Sequence, residues 1–92
     1  MNTTLIQAIT QKRRLRMVYK GQPRRVEPQC YGIGKPGREL LRVYLPDGGK
    51  VLEPLFLVAE IKRLELLDEV FTHPGPNYKR GDSAMKAIYA EL

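Results

Sequence analysis

Glycine and proline clusters cut this chain into short pieces, and that punctuation constrains its fold more than any other feature. Gly21-Gln22-Pro23, Gly34-Lys35-Pro36-Gly37, Pro46-Asp47-Gly48-Gly49 and Glu53-Pro54 follow one another along the chain. Glycine reaches positive φ without steric cost and proline fixes its own φ, so each cluster predicts a turn or a break. The intervening pieces have strand length, and several alternate in polarity. In Leu15 to Lys20, the residues Leu15, Met17 and Tyr19 alternate with Arg16, Val18 and Lys20, the period of a half-buried strand. Arg24 to Gln29 reads as a returning strand, with Pro28 at a sheet edge or at its end. Cys30 to Ile33 continues in extended form. Glu39 to Leu45 presents Leu41, Val43 and Leu45 on one face and Leu40, Arg42 and Tyr44 on the other. Lys50–Leu52 is a short extended segment, and Leu55 to Ala59 and Arg63 to Leu67 are two more strands, kinked around Glu60-Ile61.

Helical periodicity occurs only near the two ends. Leu5, Ala8 and Ile9 recur at i, i+3 and i+4 behind the cap candidates Asn2, Thr3 and Thr4, and Ile6 widens that face. Met85, Ile88, Tyr89 and Leu92 form a second such stripe behind Gly81-Asp82, with Asp82 as its cap. Between the strands and this stripe, His73-Pro74-Gly75-Pro76-Asn77 predicts a surface loop. The whole reads as mainly β with flanking helices (α+β), about five short antiparallel strands in a small barrel or curled sheet. At 92 residues the chain has one hydrophobic core, which excludes two independent catalytic domains. A single domain over 1–92 divides into a barrel core with its opening helix at 1–71, a loop at 72–81 and a helix at 82–92.

The longest apolar run, Leu55 to Ala59, falls far short of the roughly 20 residues that span a bilayer, so no membrane partner is expected. No secretory leader opens the chain, and the expected location is the cytoplasm. Cys30, the one cysteine, has no disulfide partner in the chain, and no Cys/His cluster with zinc spacing exists. No metal and no cofactor are expected.

Charge is distributed unevenly. The chain carries 16 Lys/Arg and 10 Asp/Glu, a net charge of +6, but residues 1–42 hold ten basic and two acidic side chains and residues 43–92 six basic and eight acidic. A basic half of this kind attracts phosphate backbones or acidic partners, although a solubilising surface has the same composition.

Catalysis finds little support. Cys30 and His73 are the only nucleophile and base to pair, and they fall in a strand and in a Pro-rich loop, where a buried cysteine and a solvated histidine are the simpler assignments. Glu65, Asp68 and Glu69 read as a solvated strand end rather than a metal site. Gly32-x-Gly34-x-x-Gly37 matches a dinucleotide-binding string, but Pro36 and a following strand deny it the helix N-terminus that would hold a pyrophosphate, so it reads as a hairpin loop. The candidate binding residues are Arg14, Arg16, Arg24, Arg25, Arg42 and Tyr44. Arginine forks grip phosphates bidentately and tyrosine offers a stacking plane, the chemistry needed for single-stranded nucleic acid or a nucleotide-like ligand. The competing assignment pairs Arg24 with Glu27 or Glu39 and leaves the tyrosines to packing. Strand alternation separates Arg24 from Arg25 and Glu27, and places Arg42 with Tyr44 on one exposed face.

In the order of its elements the chain resembles the WYL domain, a small Sm-like or SH3-like barrel of bacterial transcription regulators. The matching stretches are Leu5-Ile6-Gln7-Ala8-Ile9, Leu15 to Tyr19, Arg24-Arg25-Val26-Glu27-Pro28, Gly37 to Tyr44, and Phe56 to Phe71 with Leu64-Glu65-Leu66-Leu67-Asp68. The Trp-Tyr-Leu triplet of the family falls on Glu39-Leu40-Leu41, and its Phe-Arg-apolar-Asp pattern becomes Phe56-Leu57-Val58-Ala59, without the Arg and the Asp. The resemblance implies a small stand-alone member without the usual helix-turn-helix. It further implies a non-enzymatic regulatory module whose basic barrel face binds a nucleic acid or a small anionic ligand. The alternative function class is a protein-interaction or assembly module, in which strand edges and the stripe Met85, Ile88, Tyr89, Leu92 meet a second copy or another protein.

Overall fold

One twelve-residue strand organises the sheet, and every other β element except the two at its ends bonds to it. The computed structural model describes all residues, Met1–Leu92, as α1 (Thr3–Thr10), β1 (Arg13–Tyr19), β2 (Gln22–Ile33), β3 (Glu39–Tyr44), β4 (Leu55–Leu57), a 3-10 turn (Val58–Glu60), β5 (Ile61–Val70) and β6 (Ala87–Glu91). The sheet is antiparallel, six-stranded and ordered β4-β3-β2-β1-β5, with β6 attached to β2 off that path. The first half of β2 pairs with β1, from Tyr19↔Gln22 to Leu15↔Val26. Its second half pairs with β3, from Glu27↔Tyr44 to Ile33↔Glu39, and with β6, from Cys30↔Glu91 to Ile33↔Ala87. Pro28 sits beyond the last β1 pair and at the register shift against β3, where a missing N–H is tolerated.

The β1–β2 connection is tighter than the turn signal suggested. Gln22 and Pro23 already belong to β2, and the loop is Lys20-Gly21 alone, with φ of 50° and 77°. Positive φ at both central residues is what a two-residue hairpin loop matched to strand twist requires. At the far end, Asn2 caps α1 by accepting from the Leu5 N–H at 3.1 Å, and Leu5, Ala8 and Ile9 drop into the core. They meet Leu15, Met17, Val26, Tyr31, Leu41, Val43 and Phe56. The alternation of β1 and β3 is therefore realised as side chains facing one core.

Two larger expectations are corrected, the closed barrel and the C-terminal helix, and with them a smaller one, the extended Lys50–Leu52 segment. The sheet curls but does not close into a barrel, because no ladder joins β4 to β5. The 3-10 turn Val58–Glu60 carries the chain from β4 to β5, where Ile61 pairs with Tyr19. The gap is bridged instead by side chains: the Leu57 N–H donates to the Tyr19 hydroxyl at 2.9 Å, and Tyr19 stacks on Phe56 with ring centroids 3.9 Å apart. Lys50–Leu52 is a bend rather than a strand, although Leu45 N–H still bonds the Leu52 carbonyl at 2.8 Å.

The expected helix over 82–92 is the second correction, for its last residues form β6. An isolated helix of that length is marginal in water, whereas the exposed edge of β2 offers backbone partners that must otherwise be satisfied. Lys86 N–H bonds Ile33 O at 2.7 Å and Leu92 N–H bonds Gln29 O at 3.0 Å, so the segment is held from both ends. Tyr89 meets Tyr31 edge-on, and Tyr89, Ala90 and Leu92 pack on the core. The stripe of Met85, Ile88, Tyr89 and Leu92 is therefore not an amphipathic helical surface for a partner. The free edge of β5 is blunted as well: Arg63 has φ 53° at an irregularity in the β1 register, and Lys62, Arg63, Glu65, Asp68 and Glu69 line the strand.

Gly32 is where β6 comes closest. A Cβ there would lie 2.2 Å from the Ala87 carbonyl oxygen, a backbone atom with no freedom to yield. Gly32→Ala is expected to lower stability by roughly 1–3 kcal/mol in a denaturant titration. Amide exchange in that variant should quicken first at Ala87–Glu91.

Candidate functional site

The cations of the first half of the chain are mostly spoken for. Strand alternation puts Arg14, Arg16, Arg25 and Glu27 on the outer face of the β1–β2 hairpin, and β5 sends carboxylates to meet them. Arg14 pairs with Glu27 at 2.8 Å and Glu69 at 3.2 Å, and Arg16 with Glu65 at 2.8 Å. Arg25 bridges Asp47 at 2.8 Å and Glu69 at 2.6 Å. Hydrogen bonds from Arg25, reinforced for Glu69 by Arg14, hold the Asp47 and Glu69 carboxyls below the usual carboxylate range. Asp68 takes Arg13 at 3.2 Å, so the acidic cluster of β5 is a set of arginine partners. No group of His, Cys, Asp and Glu has the geometry of a metal site.

Arg42 is also occupied. It shares a strand face with Tyr44, but the segment after β5 folds over both residues. Asp82 pairs with Arg42 at 2.8 Å, and the Glu53 carbonyl accepts from the same guanidinium at 3.1 Å. Buried Gln29 donates to Glu53 at 3.0 Å and accepts from the Gly75 N–H at 2.6 Å, which seats the loop against Tyr44. Gly75 is so close that an added Cβ would lie 2.9 Å from the Tyr44 ring. The expected exposed patch of Arg42 and Tyr44 is thus replaced by an anchor for the loop. The carboxylate that makes this possible comes from 40 residues further along the chain. Cys30 is buried, and burial, helped by the nearby carboxylates of Asp82 and Glu91, pushes its thiol up to about 12, which keeps it protonated at neutral pH. His73 is exposed in the loop.

Arg24 is the exception among the candidate arginines. It lies opposite Met17 and two residues before Val26, so its side chain leaves from the inner face of the sheet, near the end where the curl stays open. Its guanidinium enters no ion pair, and its Nε is the one buried side-chain polar atom without a hydrogen-bond partner. Arg24 opens into a cavity of about 290 Å³ together with Lys20 from the hairpin tip, Lys50 from the β3–β4 loop, and Gln22. Tyr19 and Phe56 form its apolar wall, and no carboxylate lines it. The Lys20 ammonium stands over the Tyr19 ring, 5.7 Å from its centroid.

Two other concave regions differ in charge balance. One of about 450 Å³ sets Arg42, Lys79 and Arg80 against Glu53 and Asp82, and one of about 350 Å³ sets Arg14 against Glu27 beneath His73. Of these three, the Arg24 cleft alone combines several cations with no internal counter-charge. Of the six candidate residues the fold brings none to this cleft except Arg24. Lys20, Lys50, Gln22, Tyr19 and Phe56 were not singled out by the sequence. The one available signal was the parity of Arg24 with Val26, which puts an arginine on a core-facing row.

Comparison with protein-family models, curated proteins and solved structures returns no match.

The Arg42–Asp82 pair has a pH signature. The hydrogen bond from Arg42 lowers the Asp82 carboxyl below its unfolded value of 3.8. A depressed folded pKa contributes stability above the unfolded pKa and loses it as pH falls through the folded one. Arg42→Ala should cost roughly 1–3 kcal/mol at neutral pH. The deficit relative to wild type should shrink in acid melts as pH falls below the unfolded value and through the depressed folded one, where Asp82 protonates in the native protein.

Proposed function

We propose that this chain is a non-enzymatic regulatory binding module of WYL-like type, cytoplasmic, which takes a nucleic acid or a small anionic ligand through the cleft of Lys20, Arg24 and Lys50. The observation that carries this reading is Arg24, whose guanidinium enters no ion pair and which lines an acid-free cleft. A guanidinium without a protein carboxylate keeps its donors for an incoming oxyanion. Four of the other candidate residues, Arg14, Arg16, Arg25 and Arg42, already have protein carboxylates in that role. An SH3-like order of strands in an open, curled sheet draws support from the meander β1-β2-β3-β4 and from the 3-10 turn that returns β5 to the side of β1. The competing reading as an assembly module has less to draw on, since β6 occupies an edge of β2.

Fluorescence anisotropy with short labelled DNA and RNA, alongside thermal shift with inorganic phosphate and nucleotides, tests the reading. Binding should weaken steeply with salt as counterions return to the ligand. Arg24→Ala should reduce affinity about tenfold or more, since a charged hydrogen-bonding group is lost. Its melting temperature should stay near that of wild type, because Arg24 makes no internal bond. Absence of binding by the wild-type protein at low salt to every one of these ligands would overturn the proposal.

A further inference from the structure

We infer that the cleft selects a phosphate monoester, a terminal phosphate carrying close to two negative charges, over the phosphodiester of an uninterrupted backbone. This rests on the binding reading above and sharpens it to a ligand class. Lys20, Arg24 and Lys50 bring three cations into one lining with no carboxylate. A diester offers one negative charge to that set, and a monoester offers about 1.5–2 at neutral pH.

Access points the same way. Arg24 lines the cleft together with Leu45, Val51 and Pro54, so an acceptor for its guanidinium enters that space. The wall behind it is closed by Tyr19 and Phe56, stacked 3.9 Å apart, and by the Tyr19 hydroxyl bonded to Leu57. A terminal phosphate has a single ester arm, which leaves through the same opening by which the group entered. An internal diester has two arms and needs a groove open at both ends. The volume of about 290 Å³ holds a phosphate with a sugar-sized neighbour and stands at the lower bound of small-molecule sites, roughly 300 Å³.

The aromatic residues reinforce this limit. Single-strand binders gain from bases stacked on free aromatic faces. Here Tyr19 and Phe56 cover each other, and Lys20 stands over the Tyr19 ring. Recognition therefore falls on the phosphate. The Nη groups of Arg24 form an end-on fork for phosphate oxygens, and the two lysines neutralise the rest.

The test compares one labelled oligonucleotide carrying a 5′-phosphate with the same sequence ending in a 5′-hydroxyl, and adds a nucleoside 5′-monophosphate as competitor. The phosphorylated strand should bind at least tenfold tighter, and the advantage should shrink from pH 7.5 to pH 5.5 as the monoester protonates near its second pKa of about 6. Arg24→Ala should abolish the difference, and Lys50→Ala, in an exposed loop, should reduce it in a protein that folds normally. Effective competition by the mononucleotide assigns the group to a small molecule, and weak competition assigns it to a strand end; both support the monoester. Equal binding of the two strands, with the same dependence on Arg24, would overturn this inference and leave the broader reading standing. A 5′-phosphate preference that survives Arg24→Ala would overturn its placement in the cleft. Loss of all Arg24-dependent binding would remove both.

Discussion

The backbone hydrogen bonds of β2 are the constraint on which the rest of this structure depends. A strand of twelve residues offers donors and acceptors along both edges, and buried ones need partners. Three different strands supply them: β1 to the first half, and β3 and β6 to opposite edges of the second. That demand pulls the C-terminal segment into the sheet against its own helical pattern. It also bends the sheet, because β2 changes partners at Pro28, where the pairing slips.

With the curl set by β2, electrostatics decides which cations remain available. The excess of positive charge in the first half of the chain does not survive as a basic face. Glu65, Asp68 and Glu69 arrive on β5, Asp47 on the β3–β4 loop and Asp82 after the long loop, and each takes an arginine. Most of these pairs are exposed and contribute little to stability individually. Their functional effect is larger, since a neutralised guanidinium is a poor anion receptor. Arg24 escapes because the face it occupies receives no carboxylate. Its neighbours on that row are Val26 and Met17, and the cleft it lines also takes Lys20 and Lys50.

The incomplete closure of the sheet and the cleft share two residues, Tyr19 and Phe56. Had β4 and β5 joined by a ladder, their backbones would seal the end where Tyr19 and Phe56 now stack. The 3-10 turn at Val58–Glu60 separates the two strands, and a tyrosine hydroxyl with an aromatic stack bridges them. The cation-lined space lies on the other side of that stack, between the β1–β2 hairpin and the β3–β4 loop, and Tyr19 and Phe56 wall it.

Local chemistry alone determined a good part of this protein. The capped helix at Asn2, the alternation that buries Leu15, Met17, Leu41 and Val43, the Gly/Pro turns and the kink near Glu60 all follow from short-range sterics and period, which neighbouring residues encode. Alternation likewise separated Arg24 from Arg25. What required the tertiary structure was everything that depends on partners distant in sequence. Met85 to Leu92 carries a helical stripe, yet the free edge of β2 outweighs an intrinsic preference that amounts to tenths of a kcal/mol per residue. Arg42 looked free because its own strand holds no carboxylate on that face, and Asp82 reaches it only through a long loop seated by Gln29 and Glu53. The cleft gathers Lys20 and Arg24 from one stretch of chain and Lys50 and Phe56 from another. Periodicity reports which face a side chain takes, but which charges meet across space is decided by the fold.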